Sequence, residues 1–180
     1  LSGKFWPETG AFFQNIADNY TETLSRFSYS RYVGNTLVVA VATTALMMII
    51  TLFSAFAFAR LKFRGRDLLF TIFLATMMIP GEMMVITNYQ TMSNLELISK
   101  NQTKAQAFFV MIVPFITSVF YIYLLRQNFK QIPNELYLAA KVDGKSDWEY
   151  LWKVMVPLSS PTLITIAILS IIGSWNAYVW

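Results

Sequence analysis

The chain has 180 residues, 56% of them hydrophobic and only 13% charged, with a formal net charge of +4. Soluble domains run at roughly 45–50% apolar and about 25% charged, so this balance excludes a water-soluble domain and points to a polytopic membrane protein. There is no Cys and no His, which excludes disulfide scaffolds, thiol catalysis and the usual zinc sites.

Residues 1–30 mix aromatics, glycines, Pro7 and scattered charge, and Ile16, Tyr20 and Leu24 recur every four residues. That spacing predicts a short amphipathic helix near 11–25, in an extracellular or interfacial segment lying against the bilayer. From Gly34 to Ala59 no residue is charged, a run longer than the roughly 20 residues needed to cross a membrane. It ends in Arg60, Lys62, Arg64 and Arg66, which mark a cytoplasmic loop by the positive-inside rule. The same cluster argues against a nucleic-acid surface, because it directly abuts a span.

A second span is expected over 68–92. Pro80-Gly81 sits near its middle and must break or kink it. Glu82 follows at once; a carboxylate at mid-membrane costs roughly 2.5–3.5 kcal/mol, so it should face protein or water. Residues 93–104 are polar and read as an extracellular loop. A third span is expected over 105–125, with Pro114 inside it and Arg126 and Lys130 closing it on the cytoplasmic side. Residues 127–157 form a polar cytoplasmic loop. A fourth span starts near Pro161, a residue suited to a first helical turn, and reaches Trp180. The chain starts at Leu1 and stops inside an apolar segment, so a preceding helix and the remainder of the last one are expected beyond it.

The two cytoplasmic loops hold nine Lys/Arg (60, 62, 64, 66, 126, 130, 141, 145 and 153) against five outside (4, 26, 31, 100 and 104), which supports this orientation. Ala55 and Ala59 share a face of the first span and permit close helix approach. Met77, Met78, Met83 and Met84 have the adaptable chemistry to line a translocation path, and read more simply as core or lipid-facing.

The loop after the third span carries its own helix signals. One short helix is predicted to begin after Pro133 and run to about Val142, with Leu136, Ala139 and Ala140 on one face and Glu135, Leu138 and Lys141 on another. Asp143-Gly144 ends it, Gly144 being suited to a left-handed position. Ser146-Asp147-Trp148-Glu149 has the form of a capping box for a second helix. Trp148, Leu151, Trp152 and Met155 then form a stripe that needs a partner surface, and Pro157 is expected to stop the helix. A plain connection needs only a few residues. On helix physics alone two readings stand, a docking surface and interfacial packing.

The run Leu138-Ala139-Ala140, three residues, Gly144, nine residues, then Val154-Met155-Val156-Pro157 resembles the EAA loop of binding-protein-dependent importer permeases. That pattern is Glu-Ala-Ala, x3, Gly, x9, Ile-x-Leu-Pro. Arg126-Gln127-Asn128-Phe129, Ile132-Pro133-Asn134-Glu135-Leu136 and Gly173-Ser174-Trp175-Asn176-Ala177-Tyr178-Val179-Trp180 are similar to the sugar-importer branch. The resemblance implies an all-α transmembrane bundle, usually of six spans, of which four are visible, as one permease domain over 1–180 in a bacterial cytoplasmic membrane. It implies a transport subunit without catalytic residues, metal or cofactor of its own, ATP being bound by partners. Those partners would be a second homologous permease, two cytoplasmic ATPases and an extracellular solute-binding protein, with membrane lipid around them and no nucleic acid.

By the same resemblance, Glu135, Leu138, Ala139, Ala140, Asp143, Gly144 and Pro157 belong to the ATPase-coupling segment. The motif's acid is replaced here by Leu138. Glu135, one turn earlier, either supplies the charged contact or simply favours the helix N-terminus. Pro80, Gly81, Glu82, Trp175 and Asn176 are the candidates for a substrate path. Trp175, Asn176 and Tyr178 have the chemistry to stack on and hydrogen-bond a sugar. Glu82 resembles a position in glycerol-phosphate-type permeases, a second possible solute class. A carrier driven by an ion gradient needs several intramembrane ionisable residues, and only Glu82 qualifies. No nucleophile–base pair suggests an enzyme.

Overall fold

The computed structural model describes residues 9–26, 28–99 and 101–177, with side chains from residue 14 onward except 26 and 82. The helices are α1 (Thr9–Arg26), α2 (Tyr29–Arg60), α3 (Arg66–Thr76), α4 (Met84–Asn94), α5 (Lys104–Ile112), α6 (Val119–Gln131) and α7 (Asn134–Val142). They are followed by α8 (Asp147–Leu158) and α9 (Ser160–Asn176). No strand occurs among the described residues. The backbone packs as two compact units, 1–38 and 39–180.

In the first unit, α1 is the amphipathic helix that the four-residue spacing predicts, slightly longer at each end. Its stripe stays uncovered among the described residues: Ile16, Tyr20 and Leu24 are all exposed.

α2 is apolar on all sides along most of its 32 residues. At 1.5 Å per residue it reaches about 48 Å, well past the roughly 30 Å hydrocarbon layer. It is the one single helix among the described residues long and apolar enough to cross unaided. The third expected span is a bent pair: α5, a tight 3₁₀ turn at Val113–Phe115 holding Pro114, and then α6, bent by 54°. The α8–α9 pair bends by 76° at Ser159. Pro161 falls in the first turn of α9, where its missing N–H costs nothing.

The second expected span, 68–92, is broken at Pro80-Gly81, the stronger of the two outcomes the sequence allows. It is two short helices, α3 and α4, separated by turns over 77–80 and a 3₁₀ turn at Gly81–Met83. Pro80 lacks the N–H that would continue α3 and pushes Ile79 away from helical geometry, so the chain cannot run straight through. Met77, Met78, Met83 and Met84 are all exposed on this segment.

The core sits where α2, α6, α8 and α9 converge. Met47, Leu52, Ala55 and Phe56 of α2 pack with Leu125 and Phe129 of α6, Tyr150, Leu151 and Met155 of α8, and Ile166 of α9. Ala55 is fully buried, and Ala59 packs beside it, so the small-residue face of α2 is used for close helix approach. A second cluster, Phe58, Phe70 and Ile122, joins α2, α3 and α6. Higher up, Thr44 of α2 and Ser170 of α9 share a buried hydrogen bond of 3.0 Å.

Candidate docking surface and cavity

Helix α7 begins after Pro133 and ends at Val142, as the sequence predicts. Asp143 closes it and Gly144 takes the left-handed conformation, φ 72°. The Gly144 N–H donates to the Lys141 carbonyl at 3.1 Å and the Lys145 N–H to the Ala140 carbonyl at 2.8 Å. These are the paired bonds of a Schellman ending, which requires positive φ at this residue. A Cβ built on Gly144 meets nothing within 4 Å, so conformation and not crowding demands glycine here.

Two residues after Gly144, Ser146 and Glu149 exchange both bonds of the expected capping box. The two helices are also tied side to side. The Tyr137 hydroxyl donates to Asp147 Oδ1 at 2.7 Å, Lys141 Nζ pairs with the same oxygen at 2.8 Å, and the Tyr137 and Tyr150 rings meet edge to face at 5.1 Å. The hydrogen bond from Lys141, then that from Tyr137, holds the Asp147 carboxyl below its ordinary value of 3.8. Glu149 is likewise lowered, first by Lys153 at 2.9 Å and then by the Ser146 backbone N–H.

This scaffold leaves α7 with no buried residue. Glu135, Leu138, Ala139, Asp143 and Gly144 are exposed and Ala140 is half-buried. Leu136, Leu138 and Val142 are 43%, 55% and 88% exposed, an apolar surface that nothing among the described residues covers. The aromatic stripe of α8 divides. Leu151 and Met155 are buried in the core, whereas Trp148 and Trp152 are exposed, packed against each other at 5.8 Å with Trp148 stacked on Phe53.

Pro157 does not stop α8. It lies inside the last helical turn, exposed, and the helix reaches Leu158. A π turn at Leu151–Met155, with the Val156 N–H bonded back to the Leu151 carbonyl, inserts one extra residue upstream. Such a bulge locally rearranges the i→i−4 ladder that a proline would otherwise break.

Two arginines that the charge count treats only as topology signals have specific partners. Arg60 Nη2, at the end of α2, donates to the Phe129 carbonyl at 3.0 Å and the Ile132 carbonyl at 2.6 Å, and Nη1 reaches Asn134 Oδ1 at 3.3 Å. Arg126 is 5% exposed, donates from Nε to the Phe58 carbonyl at 3.1 Å, stacks 3.8 Å from the Phe70 ring and lies 3.6 Å from Asp67.

Between α2, α5, α6 and α9 lies a cavity of about 330 Å³. It is lined by the hydroxyl-bearing residues Thr43, Ser118, Tyr121, Ser170 and Ser174 and by Met47, Met111 and Phe115, with no charged residue. Thr43 is 4% exposed and its hydroxyl has no hydrogen-bond partner. The proposed path residues are not brought together here. Pro80 and Gly81 are exposed at the α3–α4 break, and Trp175 and Asn176 are exposed near the end of α9. Their neighbours Gly173, Ser174 and Ala177 line the cavity instead. The Glu82 side chain, Tyr178 and Trp180 lie outside the described residues.

Residues 47–180 match the family described as binding-protein-dependent transport system inner membrane component. The chain is 29% identical over 173 residues to the arabinooligosaccharides transport system permease protein AraQ of Halalkalibacterium halodurans, covering 92% of this chain and 60% of that one. It is 29% identical over 146 residues to the sn-glycerol-3-phosphate transport system permease protein UgpE of Yersinia enterocolitica, covering 81% and 50%. A crystal structure of a bacterial ABC transporter involved in the import of the acidic polysaccharide alginate contains a chain with TM-score 0.69 and 30% identity, over 80% of this chain and 48% of that one. The chain thus spans about half to three-fifths of the length of the relatives it matches.

Proposed function

Because the chain belongs to the family of binding-protein-dependent transport system inner membrane components, we propose that it is a multi-pass permease subunit of an ATP-driven carbohydrate importer, coupled to a cytoplasmic ATPase through α7 and the turn at Gly144. The observation that carries this reading is the uncovered α7. It is held in place by Arg60, Tyr137 and Lys141 while its own apolar face stays exposed. An exposed apolar patch on a fixed scaffold is a binding surface. The partners are a second permease, two ATPases that bind the ATP, and an extracellular solute-binding protein. Trp148 and Trp152 offer further apolar surface to lipid or to the second permease.

The cavity favours a neutral sugar over glycerol phosphate as the solute. Its hydroxyls and aromatic wall suit a sugar ring, and no cation lines it to offset a phosphate.

Copurification from gently solubilised membranes tests the class. The expected result is an ATPase and a second permease at equal stoichiometry; recovery of the chain with no ATPase would contradict it. Uptake of arabinotriose against glycerol 3-phosphate by the reconstituted complex tests the solute class, with preference for the phosphate opposing the cavity argument.

A further inference from the structure

We infer that Arg60 and Arg126 cap each other's helices, and that Arg60 is the positioning residue through which α7 moves together with α2. The inference rests on the coupling role proposed for α7.

The argument starts from a missing donor. In an α-helix the Phe129 carbonyl would accept from the N–H four residues on, and that residue is Pro133, which has none. Phe129 is fully buried, and a buried carbonyl left without a partner is costly. Arg60 reaches across from α2 and supplies the bond at 3.0 Å. The same nitrogen holds the Ile132 carbonyl in the link to α7, and the other terminal nitrogen holds Asn134, the first residue of α7. A cation beside the C-terminus of α6 is also favoured by the helix dipole.

The relationship runs in reverse as well. α2 ends at Arg60, so the Phe58 carbonyl is among the last four without an intrahelical donor. Arg126 of α6 donates to it at 3.1 Å. Each helix therefore carries the arginine that completes the end of the other.

α7 buries no residue fully; only Tyr137 and Ala140 pack, half-buried, against the core, so polar ties carry much of its attachment. Its start is fixed to α2 by Arg60, and its flank to α8 by Tyr137 and Lys141. A displacement of α7 is thus transmitted to α2, whose Val39, Thr43 and Met47 line the cavity. Lysine keeps the charge that sets topology but is a single ammonium and cannot reproduce the planar fork across these acceptors.

The test uses the assembled transporter in nanodiscs, with partner cysteines removed and spin labels at Val41→Cys on α2 and Val142→Cys on α7. Both sites are exposed in the chain alone, at 56% and 88%, and the chain has no cysteine of its own; because Val142 lies on the surface offered to the ATPase, only labelled complexes that retain the ATPase are read. With Arg60 present, the label distance stays the same with and without ATP and vanadate. In Arg60→Lys it broadens or shifts when ATP and vanadate are added, and the α7 amides exchange about tenfold faster, the equivalent of one lost charge-assisted hydrogen bond. An unchanged distance distribution in Arg60→Lys would overturn the proposal, even if exchange is faster, because Arg60 would then be a structural tie only. Should Arg60→Lys fail to assemble, Asn134→Ala removes the outermost bond alone. Nucleotide-dependent broadening there supports the tie, and an unchanged distribution overturns it. Failure of the coupling reading is seen separately, as an ATPase that does not copurify with the wild-type chain.

Discussion

The Tyr137 hydroxyl and the Asp147 carboxylate meet at 2.7 Å, joining α7 to α8 across the glycine turn. Lys141 shares the same carboxylate oxygen. This three-residue contact fixes the angle at which α7 presents its exposed face.

Its pH dependence follows from the signs. Asp147 is depressed below its ordinary 3.8, chiefly by Lys141 and then by Tyr137, so its contribution is present above that value and is lost as pH falls through the folded-state value. Lys141 is raised above its ordinary 10.5, chiefly by Asp147, so its contribution is present below that value and is lost as pH rises through the folded-state value. Protection of α7 amides in hydrogen exchange should therefore be flat through neutral pH and fall under acid. Asp147→Asn should remove the acid limb. Tyr137→Phe should cost about 1 kcal/mol at neutral pH, one ordinary hydrogen bond.

Gly144 is required for its positive φ, not for space. Gly144→Ala should destabilise the α7–α8 turn by about 1–2 kcal/mol, and Gly144→Asn by less, because asparagine tolerates the left-handed region. Hydrogen exchange at Lys145 and Ser146 reports the ranking. Equal costs for both would contradict the conformational argument. Gly144→Asp should leave insertion intact and uncouple ATP hydrolysis from transport in the reconstituted complex, and normal coupled uptake by that variant would oppose the coupling reading.

The Thr44–Ser170 bond joins α2 to α9 inside the apolar region. Such bonds average about 0.6 kcal/mol in membrane proteins. A double-mutant cycle with Thr44→Val and Ser170→Ala should return a coupling energy near that figure.

Met155 is fully buried and Trp152 is 43% exposed, although both belong to one sequence stripe. Met155→Ala should cost about 2–5 kcal/mol through the cavity it leaves. Trp152→Ala should cost the isolated chain less, about 0.5–1.5 kcal/mol, through its edge-on pair with Trp148. A larger effect of Trp152→Ala in the assembled complex would place this indole in a subunit interface.

Local signals were the legible ones. The bounds of α7, the Gly144 ending, the Ser146–Glu149 capping box and the Pro161 start are each set by chemistry within a few residues, and the structure has all of them. The capping box Thr103–Gln106 at the start of α5 has the same Ser/Thr-x-x-Glu/Gln form and was within reach of the same reasoning. Long-range relations were not legible. Nothing near Arg60 in sequence says that it completes a helix end 69 positions away, although Pro133 signals that a carbonyl there lacks its donor. Pro157 reads as a stop in the sequence, yet the helix runs through it to Leu158, because periodicity does not foresee a π turn. The cavity depends on hydroxyls from three separated segments, each an ordinary membrane-helix residue on its own.

The measurement closest to the central claim is site-directed cross-linking of the assembled complex from Leu138→Cys, on the exposed face of α7, in a chain with no native cysteine. A short photoactivatable cross-linker at this position should capture the ATPase, while the same probe at Glu96→Cys, expected on the opposite side of the membrane, should not. Absence of an ATPase adduct from Leu138→Cys in a complex that contains the ATPase would contradict the assignment of α7 as the docking helix.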